Sequence, residues 1–274
     1  EDTLSLHDAL PIYSNNLEKI GEALRHRNSF TDYSGRTFHC SAYEYAYWAK
    51  DTHMCRMLEG YMDKDTKDVM ATRIDKIESI DEVTGQPVGL EYSQEDQVHR
   101  CAHFDFTRLI KALRSYIDNY DEWYYVSDWA AIDAAWMEVG KELRDVPAHV
   151  AQEYCHPDRS FYPCSSFKES KLPRTLTFRN LTNFCDDSWF PLTSPVSGLG
   201  FDFALSRWSD SVVRCGRNDV VDSRCAMRAA DHDLKAITQL DEVRTADLLR
   251  SRAHLISPAI LHSSSLEKCY ARTI

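Results

Sequence analysis

The chain has 274 residues and a net charge of -11, with 43% hydrophobic and 11% aromatic residues against only 9 Gly and 9 Pro. That composition excludes a disordered or collagen-like polymer, because enough apolar surface is present to offset chain entropy. No apolar run reaches the roughly 18 residues of a membrane-spanning helix, and no secretory signal pattern is found, so a soluble chain with no membrane-spanning segment is expected.

The acidity is uneven. Residues 1–150 hold 28 acidic and 16 basic side chains, whereas residues 151–274 hold 15 and 16. An acidic first half repels phosphate backbones, so no nucleic-acid partner is expected. The nine cysteines have irregular gaps and no C-x-x-C pair, which argues against a zinc ribbon or a redox dithiol. They read as reduced thiols in a cytosolic, reducing compartment.

In chain order, Glu1 to Ile12 (EDTLSLHDALPI) resemble a translated sequencing adapter and are set apart from the fold. Ser41 and Glu44 form an S-x-x-E capping box, and Tyr43, Ala46, Tyr47, Met54, Met57, Leu58 and Tyr61 recur at helical spacing behind it. The pattern predicts one helix over 41–62. A second helix starts after Asp63 or Asp65 with Val69, Met70, Ile74, Ile77 and Ile80 on one side, and a polar loop follows at 83–98. Leu109, Leu113, Tyr116 and Tyr120 mark a helix over 107–120. Ser127 is expected to cap the next one, with Trp129, Ile132, Trp136, Val139 and Leu143 on a seam that other helices must cover, its two tryptophans implying substantial burial.

Pro147 opens a short helix through Tyr154. From 160 to 200, prolines mixed with aromatics indicate irregular chain, with a strand-like alternation at Leu176 to Leu181. Residues 207–232 lack periodicity and read as loop or disordered, and a final helix is expected over 233–255. The fold class is therefore mainly α, an irregular multi-helix domain with a loop-rich aromatic segment and a short β element. Its organisation is 1–12 apart, 13–206 as the main helical domain, 207–232 as loop, and 233–274 as helix and tail.

Several residue sets carry possible chemistry. Cys40 precedes a capped helix whose amide dipoles favour a thiolate, with His39 or His53 as base, a route to a thiol hydrolase. His149, Glu153 and His156 at i, i+4 and i+7 suit a metal if the helix continues, although Pro157 biases His156 out of helical geometry. His99, Cys101 and His103 alternate as strand residues would. The aromatic run Tyr43, Tyr45, Tyr47 and Trp48 fits either a binding surface or a position between two packed layers. No G-x-S-x-G, G-x-x-x-x-G-K or G-x-G-x-x-G motif is present, and no cofactor is expected.

The segments FHCSAYEYAYWAKDTHMCRMLEGYM (38–62), HVAQEYCHPDRSF (149–161), DDSWFPL (186–192), SGLGFDFAL (197–205) and LDEVRTADL (240–248) resemble effector proteins of Legionella-type intracellular bacteria. The resemblance implies export into a host cell by a type IV secretion system, often beside ankyrin-like repeats, and supplies no catalytic residues. With catalytic motifs absent, the expected function is a non-enzymatic interaction module whose partner is a host protein. The alternative is a cysteine- or metal-dependent hydrolase built on Cys40 with His53, or on His149, Glu153 and His156.

Overall fold

Ser41 begins the molecule's central layer in the way its capping box predicts. Its hydroxyl accepts from the Glu44 amide while its own N–H and hydroxyl donate to the Glu44 carboxylate. The computed structural model describes residues 17–32, 34–154, 167, 177–180, 185–188 and 223–256. Glu1 to Ile12 and His156 lie outside the described residues.

Eight helices are described: α1 (Leu17–Arg25), α2 (Ala42–Trp48), α3 (Thr52–Glu59), α4 (Lys64–Glu78), α5 (Thr107–Tyr125), α6 (Trp129–Arg144), α7 (Ala148–Tyr154) and α8 (Ser223–Ile256). The architecture is mainly α with a small antiparallel sheet. None of these helices is long and apolar enough to cross a membrane.

The predicted helix over 41–62 is two helices. Lys50 takes a positive φ of 58°, and Asp51 starts α3 by accepting from the Met54 amide. An Asp that caps offers the backbone a competing partner and stops one helix to begin another. Lys50 is the left-handed residue of a Schellman-type end to α2, its N–H donating to the Tyr47 carbonyl and the Asp51 N–H to that of Ala46, while its ammonium, 5.5 Å from the Phe106 ring centroid, pairs with Asp241 of α8. The α4 start is capped by Asp63, which accepts from Thr66 N–H.

The expected loop at 83–98 instead contains sheet structure. Four strands, β1 (Asn28–Thr31), β2 (Thr37–Cys40), β3 (Leu90–Gln94) and β4 (Gln97–Cys101), pair antiparallel in the order β1-β2-β3-β4. Phe38 aligns with Tyr92, and Tyr92 with His99, so one set of alternating residues faces the helices and the other faces solvent. Glu95 and Asp96, both with positive φ, make the two-residue β3–β4 turn. On the helix side, the Phe38 ring lies 4.8 Å from Trp48 and 5.1 Å from both Tyr45 and Tyr92, centroid to centroid. Tyr43 and Tyr47 are buried and donate to Glu59 and Glu78, so the aromatic run sits between layers.

The α5 helix extends to Tyr125, and α6 is capped by Asp128 rather than Ser127, which adopts φ 56° in the turn. Strand β5 (Thr177–Asn180) falls within the alternating stretch and pairs with β6 (Cys185–Ser188). The last helix begins at Ser223, so its first turns occupy part of the expected loop at 207–232. It packs against α5, α4 and α3, and Ala236, Ile237, Leu240 and Leu248 belong to the same core as Phe38, Met70 and Leu113. The described thiols Cys40, Cys55 and Cys101 are free.

Candidate functional site

The proposed nucleophile, Cys40, ends β2 and is buried on the core face. Burial pushes its pKa up to about 12, and the Glu44 carboxylate adds to the shift. That carboxylate already occupies the Ser41 N–H at the start of α2, so the positive end of the helix faces a fixed anion. The thiol is protonated at neutral pH, opposite to what an activated cysteine requires. His53, in the first turn of α3, is directed elsewhere: its Nδ1 accepts from Arg244 Nη1 at 2.8 Å. Cys40 and His53 share no hydrogen bond.

The α7 pair is likewise divided. His149 Nε2 donates to the Ala49 carbonyl at 2.7 Å, and burial holds the ring's pKa at about 4, so it is neutral. Glu153 accepts from Arg244 Nη2 at 3.1 Å, and both side chains are fully buried. His99 and Cys101 do alternate on β4. Even so, His99 stacks on Tyr92, Cys101 accepts from Trp48 Nε1, and His103 pairs with Glu78. Among the described residues no group of three His, Cys, Asp or Glu is placed to hold a metal ion.

What joins the two candidate sets is a residue that belongs to no motif. Arg244 projects from α8 and donates to Thr52 Oγ1 at 3.0 Å, to His53 and to Glu153. One guanidinium therefore ties α3, α7 and α8, and a buried charge of this kind demands its carboxylate partner. Its position was legible as a lone Arg on the apolar seam of Ile237, Leu240 and Leu248. The cluster contains no activated nucleophile, and its groups are committed to one another. Its chemistry is that of a clasp.

The surface offers a different feature at the α5–α6 joint. Trp129, expected on the covered seam with Trp136, is instead 51% exposed, because it is the first residue of α6 and sits at the tip; Tyr125 and Val126 beside it are 87% and 69% exposed, and Tyr124 is partly exposed. Buried Tyr116 and Tyr120 anchor this tip from below, Tyr120 stacks with Tyr124, and Tyr124 meets Trp129 edge to face at 5.7 Å. The exposed rings thus sit at the turn of a helix hairpin, Trp129 braced through Tyr124 against the core. From Ser115 to Met137 the chain carries Asp118, Asp121, Glu122, Asp128 and Asp133 and no Lys, Arg or His. Ring-rich apolar surface inside an acidic border is characteristic of contact sites.

Residues 108–255 match the family model described as the CBUA0006 C-terminal domain. The uncharacterized protein CBUA0006 of Coxiella burnetii (strain RSA 493 / Nine Mile phase I) is 38% identical over 258 residues, covering 88% of this chain and 70% of that protein. The chain belongs to the CBUA0006 family. Neither match carries a Legionella or ankyrin-repeat name. No solved structure matches the chain. The CBUA0006 C-terminal domain takes in the aromatic tip together with Glu153 and Arg244 of the clasp, whereas the four-stranded sheet precedes it.

Proposed function

We propose that this chain is a non-enzymatic interaction module that docks a host protein through the aromatic tip at the α5–α6 joint. The observation that carries this reading is the exposed set Tyr125, Val126 and Trp129, with Trp129 edge-on to Tyr124, which itself stacks on the buried Tyr120. Large aromatics fixed in advance lose little entropy on binding and act as anchors. The acidic border selects a partner face rich in Lys and Arg, because opposite charges steer association and like charges are repelled. The likeness of residues 38–62, 149–161 and 240–248 to exported effectors supports a role as a translocated effector delivered by type IV secretion. Against a hydrolase stand the raised pKa of Cys40 and the commitment of His53, His149 and Glu153 to structural partners.

The test is an affinity capture from host-cell lysate with wild-type chain and with Tyr125→Ser/Trp129→Ser, followed by measured affinity for any protein recovered. The double variant should weaken that affinity at least about thirty-fold, since truncating even one hot-spot anchor removes about 2 kcal/mol. Equal binding by the double variant, or ester or peptide hydrolysis that disappears with Cys40→Ser, would overturn the reading.

A further inference from the structure

The solvent face of the four-stranded sheet has a character opposite to that of the tip. Where β2, β3 and β4 meet the C-terminal half of α4, a groove of about 480 Å³ opens, a volume within the small-molecule range. Arg27, Arg73, Lys76 and Arg100 line it with His39, in a chain whose net charge is -11. Beneath them Glu44 is fully buried and binds both Arg27 and Arg73. One carboxylate shared by two guanidiniums fixes both and leaves one positive charge uncompensated. Lys76 has no ion-pair partner among the described residues, and Arg100 meets only the exposed Glu91, a pair that solvent screens.

At the α4 C-terminus the Lys76 and Ile77 carbonyls accept from the Ser79 and Gly89 amides, so they are not left bare toward the groove. The groove also has apolar lining from the exposed Val98 and the half-buried Val88, with Ile77 and Leu90 buried at its base. Several separate cationic donors suit an anion with three acceptor oxygens better than a carboxylate, and the apolar lining suits an organic body.

We propose that this groove binds an organic phosphate, with the phosphoryl group on Arg27, Arg73 and Lys76 and the organic part over the apolar lining. The site is separate from the aromatic tip and does not depend on the interaction-module reading. Calorimetry on the full chain with phenyl phosphate and with inorganic phosphate tests it. Co-sedimentation with phosphatidylcholine vesicles carrying phosphatidic acid tests whether the phosphate belongs to a lipid. Phenyl phosphate should bind more tightly than inorganic phosphate. Lys76→Ala should weaken it about ten-fold, the scale of one charge-assisted hydrogen bond, and Lys76→Glu further. Lys111→Glu, on exposed α5, should bind as wild type does. Vesicle binding that requires Lys76 assigns the phosphate to a lipid headgroup, and soluble binding without vesicle binding assigns it to a free ligand. Absence of binding in every arm, equal affinity for the two soluble phosphates, or Lys76→Glu behaving as wild type overturns the proposal.

Discussion

His149 shows what a single buried ring does to the molecule's response to acid. Its pKa is about 4 in the fold against an ordinary 6.5, because burial penalises the imidazolium. The unfolded chain therefore binds a proton between those values that the folded chain refuses. The stabilisation is fully present above pH 6.5 and is lost as the pH falls toward 4, by up to about 3 kcal/mol. Urea denaturation across this range should show the decline, and His149→Gln, which keeps a donor for Ala49 but does not titrate, should flatten it. A slope unchanged by the substitution would refute the assignment. The i, i+4 and i+7 spacing of His149, Glu153 and His156 pointed to a metal set, whereas His149 and Glu153 go to separate partners. Their use as tether and ion-pair partner was hidden, because Arg244 lies 91 residues beyond Glu153.

Among elements, the sheet was the part least legible in sequence. Its strands are four or five residues long, too short for alternation to stand out. Its β3–β4 turn uses Glu-Asp in place of the Asn-Gly or Asp-Gly signal. The α2–α3 break was hidden for a different reason: the apolar spacing of Tyr47 resumes at Met54 across the break, and only the left-handed Lys50 and the capping geometry of Asp51 reveal the stop. Gly89 offers a direct check on how the sheet joins α4. It takes φ +67°, and a Cβ there would lie 2.6 Å from the Cys101 backbone nitrogen. Gly89→Ala should destabilise the fold by at least about 1–3 kcal/mol in chemical denaturation, the scale of left-handed strain before the steric overlap is added. A wild-type midpoint would contradict this account of the β3–β4 packing.

For the whole molecule, helical periodicity conveyed the class well, since Leu113, Tyr116, Ile132 and Trp136 are where the predicted stripes put them, in the core. What local pattern did not convey is that α8 is integral to that core. Leu240 is fully buried on the face that also presents Arg244. Leu240→Ala should cost about 2–5 kcal/mol, and because one core links α1 to α8, near-ultraviolet and far-ultraviolet dichroism should lose signal in one coincident thermal transition. Separate transitions for the two halves would show that α8 is an appendage.

The reach of Lys50 to Asp241 spans 191 positions, as does that of His53 to Arg244. Such distant pairings make for slow folding, since a large loop must close before the contacts reward it. On the ribosome, the first half emerges with the lysine, the histidine and the apolar flanks of α4 and α5 still waiting for a helix that has not been made. Until synthesis has passed residue 256, the nascent chain exposes surface that a chaperone would recognise.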